Sequence, residues 1–233
     1  MPSAANPLCI ALDTPDIARA RELVRALKGA VGMVKVGMEF FYAHGAAGYA
    51  AVAGENLPVF LDLKLHDIPN TVASALSALM RLEPLPAIVN VHATGGPMML
   101  EAAARTVDGR AKLIAVTVLT SLSDADLAAA GFAPGRDLPV ALARLAQGQG
   151  LDGVVCSPRD VAAIRAACGP SFLTVVPGIR PAGIEHGDQK RVSTPAEALA
   201  AGADILVVGR PVTGATDPAA AARAILSSLP AAA

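Results

Sequence analysis

The stretch that decides the fold class is VFLDLKLHDIPNT, which spans Val59 to Thr71. Its first half has the side-chain alternation and β-branched start that are typical of a β-strand. Asp62 and Lys64 are two residues apart, so both project from one face of this strand, while the leucines between them project from the other. In a parallel sheet buried on both sides, such charges must pair with each other or line the open end.

Seven further strands of this kind alternate with longer segments of helical period. Eight βα repeats in a chain of 233 residues, 53% of them hydrophobic, predict an α/β fold: one (β/α)₈ TIM barrel that forms a single domain over residues 1–233. Several helices begin at a proline or after a polar capping residue. The predicted strands are Leu8–Asp13, Met33–Gly37, Val59–Lys64, Ala87–His92, Leu113–Val118, Gly153–Cys156, Phe172–Val176 and Ile205–Val208, and the helices begin near Pro15, Glu39, Asn70, Met98, Leu138, Arg159, Pro195 and Pro218.

Composition argues against several classes of partner. The net charge of −1 includes no basic block, and aromatic residues make up only 3% of the chain, so we expect no nucleic-acid partner. No apolar run is long enough for a membrane span, and no leader precedes the first strand, which predicts a cytoplasmic protein. Cys9, Cys156 and Cys168 are an odd number at wide spacing, which favours reduced, buried thiols. A small-molecule partner fits best.

Charged residues recur on the strands beside Val59–Lys64. Strand one ends at Asp13, strand two carries Lys35, and Asp67 lies just beyond strand three. The alternative interpretation is that these residues form buried salt bridges that only fill the barrel. Such bridges stabilise a fold poorly, because desolvating two ions costs on the order of several kcal/mol. An alternating Lys/Asp cluster at one level of adjacent strands therefore predicts a catalytic site, with Lys64 as a general acid.

The loops after the last two strands predict a phosphate site. TVVPGIRPAGIEHGDQKR contains the end of strand seven and the loop that follows it, and DILVVGRPVT contains strand eight and its loop. Barrels commonly hold phosphate at these two loops. The backbone near Gly209 and the guanidinium of Arg210 suit phosphate oxygens, and Arg180 lies in the long gap 178–192, whose length is typical of a lid. Solvated loop charges are the alternative for both arginines.

Taken together, these residues resemble the orotidine 5′-phosphate decarboxylase family. DLKLHDIPNTV is the most specific piece, because it matches the family's Asp-x-Lys-x-x-Asp signature and its Ile-Pro-Asn-Thr continuation. The resemblance covers nearly the whole chain, and the supporting pieces are ALDTPD, KVGMEFF, VNVHATGG, VTVLTS, VCSPRD, PGIRPAG, GDQKR and VVGRPVT.

The resemblance implies decarboxylation of orotidine 5′-phosphate to uridine 5′-phosphate and CO₂ in de novo pyrimidine biosynthesis, without a cofactor or a metal. It implies that Lys64 protonates C6 of the pyrimidine and that Asp62 lies beside the departing carboxylate. It also implies a homodimer with shared sites, in which Asp67 enters the site of the other subunit. The implied catalytic residues are Lys35, Asp62, Lys64 and Asp67.

The resemblance also implies a set of substrate contacts. Asp13 and Lys35 would bind ribose hydroxyls, Thr120 would read the pyrimidine edge, and Pro177 would form a wall near the ring. The residues implied to accompany Asp67 across the interface are Ile68 and Thr71, and those implied to bind phosphate are Arg180, Gln189, Gly209 and Arg210.

Two other functions remain open at this point. A related barrel that decarboxylates or synthesises sugar phosphates also uses an Asp-x-Lys strand, but with a divalent metal, whereas the four histidines here are scattered. His92 ends strand four, where either a structural role or a place in the site is expected. A non-catalytic sensor of phosphate ligands is the second alternative, and the intact charge cluster argues against it.

Overall fold

Eight parallel strands close into a barrel in a computed structural model that describes residues 6–133, 137–180 and 193–229. Each strand pairs with the next along the chain, and the last pairs with the first, which confirms the predicted (β/α)₈ architecture. Every strand end lies within two residues of its prediction. The strands are β1 (Leu8–Ala11), β2 (Met33–Gly37), β3 (Val59–Leu65), β4 (Ile88–His92), β5 (Lys112–Val116), β6 (Gly153–Val155), β7 (Leu173–Val176) and β8 (Ile205–Val208).

The helices surround the barrel, and the eight predicted ones begin within two residues of their predicted starts. Side chains of Asp16, Ser123, Thr194 and Asp217 accept hydrogen bonds from the first backbone N–H groups of their helices. The helices are α1 (Ile17–Leu27), α2 (Met38–Ala53), α3 (Pro69–Leu79), α4 (Pro97–Val107), α5 (Asp124–Ala129), α6 (Asp137–Gly148), α7 (Val161–Cys168), α8 (Pro195–Ala200), α9 (Arg210–Thr213) and α10 (Pro218–Ser227).

Two short helices, α5 and α9, were not predicted. Both are too short to show a helical repeat of apolar residues. A capping box between Ser123 and Asp126 begins α5. Arg210, expected in a loop, is instead the first residue of α9.

The core has two layers, which result from the alternation of side chains along each strand. Side chains such as Cys9, Phe60 and Ile114 fill the inside of the barrel. Leu61 and Leu63 belong to the larger layer between strands and helices, as the alternation in β3 predicts. The even positions of β3 therefore face the barrel axis, where Asp62 and Lys64 are found.

The end of β1 differs from the prediction. The strand was expected to reach Asp13, but it ends at Ala11, and Asp13 takes a left-handed backbone conformation with φ of 27°. The chain thus leaves the sheet two residues early, and Asp13 belongs to the loop above β1.

The three cysteines are free and buried, which confirms their expected state. Burial raises the pKa of the Cys9 and Cys156 thiols, so neither is a ready nucleophile. Among the described residues, none of the helices has the length and apolar character that crossing a bilayer requires.

Candidate active site

A cavity of about 550 Å³ opens at the carboxyl ends of the strands. Its floor is apolar, with Phe60, Val155 and Val207 among its lining side chains, and its walls are charged. A polar ligand with an apolar ring face would match such a lining. The predicted site residues that line it are Asp13, Lys35, Asp62, Lys64, Thr120, Pro177, Arg180, Gly209 and Arg210.

Four of these side chains form an alternating row of charges. Lys35 Nζ lies 3.2 Å from Asp13 Oδ1 and 3.3 Å from Asp62 Oδ2. Lys64 Nζ lies 2.7 Å from Asp62 Oδ1. The side chains of Asp62, Lys35 and Lys64 are 9%, 12% and 26% exposed, so most of the row is shielded from solvent. Two ammonium groups and two carboxylates balance one another, which makes this degree of burial tolerable.

The row is staggered, whereas the sequence suggested one common level. Lys35 pairs in register with Phe60, and Gly37 is the residue opposite Asp62. The long side chain of Lys35 covers the offset of two residues. A Cβ atom on Gly37 would lie 3.2 Å from Lys35 Nζ, so the glycine leaves the space that the ammonium occupies.

The charged states of Asp62 and Lys35 support each other. Burial acts to raise the pKa of Asp62, but the charges of Lys35 and Lys64 outweigh burial, and the pKa is lowered. Burial acts to lower the pKa of Lys35, but Asp62 and Asp13 outweigh it, and the pKa is raised. Both groups are therefore ionised at neutral pH.

Lys64 stands on an irregular part of β3. Its φ is 52°, a left-handed conformation that is costly for a residue with a side chain. The register between β3 and β4 shifts here: Leu61 pairs with Val89, and Leu65 pairs with Val91. Three residues of β3 thus face one residue of β4, which is the arrangement of a β-bulge.

That single facing residue is Asn90, which the sequence prediction missed. Asn90 is 1% exposed. Its Nδ2 donates to Asp62 Oδ1 over 2.7 Å, and its Oδ1 accepts the backbone N–H of Lys64 over 2.8 Å. The available signal was a polar residue inside the apolar strand IVNVH, at a position that alternation directs inward.

Asp67, Ile68 and Thr71 lie away from this cavity. They belong to the loop after β3 and to the first turn of α3, and all three are exposed. Asp67 Oδ1 accepts the backbone N–H of Ile68 over 2.6 Å. The structure therefore does not bring Asp67 to the lysines of its own barrel. Gln189 lies outside the described residues.

The two arginines stand at the rim after β7 and β8. Arg180 comes directly after Ile179, which forms an isolated bridge with Ser193, so the ends of the intervening segment lie side by side. Arg210 begins α9 directly after Gly209. A Cβ atom on Gly209 would lie 3.6 Å from Asp13 Oδ2, which places the end of β8 against the acidic end of the charge row.

His92 lines a second cavity of about 330 Å³ together with His66 and several apolar side chains. The two imidazole rings stack with their centroids 5.3 Å apart. Burial, and to a smaller extent the charges of His66 and Lys64, lowers the pKa of His92. Within the described part of the chain, no three His, Cys, Asp or Glu side chains are arranged to bind a metal ion.

Comparison with known proteins gives one consistent result. Residues 6–225 match the family described as Orotidine 5′-phosphate decarboxylase / HUMPS. The chain is 53% identical to the orotidine 5′-phosphate decarboxylase of Paramagnetospirillum magneticum, over 96% of this chain and 98% of that protein. It is 55% identical to the one from Anaeromyxobacter sp. strain K, over 95% and 97%. The crystal structure of orotidine 5′-phosphate decarboxylase from Lactobacillus acidophilus superposes with a TM-score of 0.83 at 37% identity, covering 95% of this chain and 98% of that one.

Proposed function

The chain belongs to the orotidine 5′-phosphate decarboxylase / HUMPS family, and from its site we infer how it converts orotidine 5′-phosphate to uridine 5′-phosphate and CO₂ in pyrimidine biosynthesis. The observation that carries the mechanism is the shielded row Lys35–Asp62–Lys64 on the wall of the cavity. It supplies a fixed cation and a fixed anion within one ligand-sized space.

Lys64 is the proton donor in this mechanism. When CO₂ leaves C6 of the pyrimidine, the electron pair of the broken bond stays in the ring plane, where no adjacent π system can spread it. An ammonium group held beside C6 gains attraction as this negative charge develops, and it then transfers a proton to C6. Because its attraction to the ring grows along the reaction, Lys64 lowers the barrier and does more than bind the substrate.

Asp62 positions Lys64 and faces the substrate carboxylate. Two carboxylates about 4 Å apart repel by roughly 4 kcal/mol at an effective dielectric near 20, and the neighbouring lysines cancel part of this. Loss of CO₂ relieves the repulsion. The relief of this repulsion contributes less than Lys64 does, because only the Lys64 ammonium directly stabilises the negative charge that forms on C6.

The remaining lining residues bind the rest of the nucleotide. Asp13 and Lys35 bind ribose hydroxyls, Thr120 reads the pyrimidine edge, and Pro177 packs near the ring. Their places around one cavity support these roles. Gly209, Arg210 and Arg180 bind the phosphate at the rim, and Gln189, outside the described residues, is a further phosphate ligand in this proposal. The binding energy of the phosphate orders the site for the reaction.

Two copies of the chain form the working unit, and each completes the other's site. Asp67 and Thr71 are exposed and do not line their own cavity, which leaves them available to a second copy. Ile68, which follows Asp67 in the chain, is 66% exposed, and Met98, near the start of the neighbouring helix α4, is 73% exposed. Exposed large apolar side chains of this kind are typical of a protein interface.

Mixing two inactive variants tests the shared site. Lys64→Ala and Asp67→Ala homodimers are each expected to be inactive, whereas subunits unfolded and refolded together form mixed dimers with one intact site. Activity should then return to roughly a quarter of the wild-type value, since half of the dimers are mixed and each has one site of two. No recovery despite demonstrated subunit exchange would mean that Asp67 serves its own barrel.

The three unpaired, buried cysteines fit a reducing compartment. We therefore place the reaction in the cytoplasm.

Turnover of orotidine 5′-phosphate tests the activity itself. The loss of orotate absorbance should begin on addition of the protein, should persist in EDTA, and should be abolished in Lys64→Ala while the circular dichroism spectrum is unchanged. No turnover of orotidine 5′-phosphate, with EDTA-sensitive turnover of a sugar phosphate instead, would favour a metal-dependent sugar-phosphate enzyme of the same family. Binding of the nucleotide without turnover would favour a sensor.

A further inference from the structure

We propose that Asn90 is a positioning residue for the decarboxylation, and that its side-chain amide holds the Asp62 carboxylate and the Lys64 backbone in their working geometry. The inference rests on the role proposed above for Lys64. The proposal adds Asn90 of β4, which acts on the reaction only through its hydrogen bonds to Asp62 and Lys64.

The amide of Asn90 replaces part of the ladder between β3 and β4. Between the pairs Leu61–Val89 and Leu65–Val91, three residues of β3 face Asn90 alone. Regular backbone pairing cannot satisfy the extra residues, and the N–H of Lys64 is bonded by Asn90 Oδ1 over 2.8 Å. A buried N–H without a partner would cost about 1–3 kcal/mol. The side chain of Asn90 therefore stabilises the bulge on which Lys64 stands.

The other end of the same amide fixes the Asp62 carboxylate. Asp62 Oδ1 accepts from Asn90 Nδ2 and from Lys64 Nζ, each over 2.7 Å, while Oδ2 faces Lys35 Nζ over 3.3 Å. Because nitrogen atoms from three strands surround the carboxylate, its side chain is held in one rotamer. One amide thus fixes both the Asp62 carboxylate, which holds the Lys64 ammonium, and the backbone from which the Lys64 side chain projects.

The positive φ of Lys64 makes this support necessary. A non-glycine residue in the left-handed region costs on the order of 1–2 kcal/mol, and it persists only where its surroundings enforce it. Without the amide, β3 is free to relax toward an ordinary strand, which displaces the Lys64 side chain. A shift of about 1 Å in a reacting group can cost roughly 100-fold in rate.

Two variants of Asn90 separate positioning from general stability. Asn90→Leu keeps the branching and the number of heavy atoms of the side chain and removes both hydrogen bonds. Asn90→Asp keeps the acceptor for the Lys64 N–H but replaces the donor to Asp62 with a carboxylate. Thr174→Val is the matched control, because Thr174 is also a fully buried polar strand residue, and its bonds to Gly202 and Asp204 lie outside the site.

For Asn90→Leu we expect kcat for orotidine 5′-phosphate to fall by about 100-fold, while KM changes by less than about threefold because the ribose and phosphate contacts remain. Thr174→Val should keep the wild-type kcat even if its melting temperature falls. A wild-type kcat in a folded Asn90→Leu, or a loss that appears in KM alone, would overturn the proposal.

The pH profile of Asn90→Asp supplies a readout that a purely structural role would not change. Two facing carboxyl groups share a proton as the pH falls, and a protonated Asp at position 90 can donate to Asp62 as the native amide does. Lys35 and Lys64 also face this pair, and His92 lies two residues along β4.

The deficit in kcat relative to the wild type should therefore shrink as the pH is lowered from about 8 to 5, and a deficit that does not depend on pH would refute the proposal. If Asn90→Leu does not fold, the pH dependence of kcat in Asn90→Asp alone tests whether Asn90 is a positioning residue. An inactive wild-type enzyme would overturn the proposed function, whereas an active wild type with unaffected Asn90 variants overturns only this inference.

Discussion

Replacing Asp62 with Asn is expected to destabilise the fold measurably as well as to impair the reaction. The substitution removes one negative charge from between two cations whose Nζ atoms lie 2.7 and 3.3 Å away. At an effective dielectric of 20 these pairs attract by roughly 6 and 5 kcal/mol before desolvation is subtracted. Breaking a buried pair by removing one partner costs about 3–5 kcal/mol in total. Because Lys64 is partly exposed and Asn keeps some hydrogen bonds, we expect a loss of about 3 kcal/mol.

Urea unfolding monitored by circular dichroism measures this loss, and its pH dependence has a definite sign. The folded pKa of Asp62 is lowered, so its stabilisation is complete above its unfolded pKa of about 3.9 and is lost as the pH falls through the folded value. The difference in the free energy of unfolding between wild type and Asp62→Asn should reach its maximum at about pH 7 and should become smaller below about pH 4. A gap under about 1 kcal/mol at neutral pH, or one that widens in acid, would refute the electrostatic account of the row.

Removing the substrate phosphate should reduce kcat/KM sharply, and Arg210→Ala should lower kcat/KM for orotidine 5′-phosphate by about 10- to 100-fold while leaving that for orotidine unchanged. Steady-state kinetics with both substrates checks this, and equal values for the two substrates in the wild type would contradict it. Far from the site, hydrogen bonds from Arg25 and Arg21 lower the pKa of Glu55 to about 2. Glu55→Gln should therefore lower the midpoint of urea unfolding at pH values above about 4.3. The difference in midpoint between this variant and the wild type should vanish as the pH approaches the folded pKa of Glu55. Glu22→Gln, at a side chain that is 68% exposed, is the control and should change the midpoint little.

The regular part of the fold could be predicted from the sequence because it rests on local periodicity. Buried strands of β-branched residues and amphipathic helices are visible within windows of about 11–18 residues, and the starts of the eight strands and of eight helices could be predicted from them. The inward direction of Asp62 and Lys64 results from the same alternation.

Long-range geometry could not be predicted in this way. The stagger between Lys35 and Asp62 depends on the register of β2 against β3, and the bulge at Lys64 depends on β4. Asn90 is 28 residues from Asp62 along the chain, so only the folded barrel shows that they bond. Asp67 contributes nothing visible to its own cavity, since the role proposed for it depends on a second chain.

Chemical rescue of Lys64→Cys tests the central claim most directly. The variant should be inactive, and alkylation with 2-bromoethylamine should restore a measurable fraction of kcat, because the thioether product ends in an ammonium at the length of lysine. The Lys64 side chain is 26% exposed and accessible to a reagent, whereas the native thiols are buried, so treated wild-type enzyme should keep its activity. Alkylation with iodoacetamide, which adds a neutral amide, should restore nothing. If the untreated variant were active, or if the neutral adduct restored activity as well as the ammonium, a cation at position 64 would not be what drives the loss of CO₂.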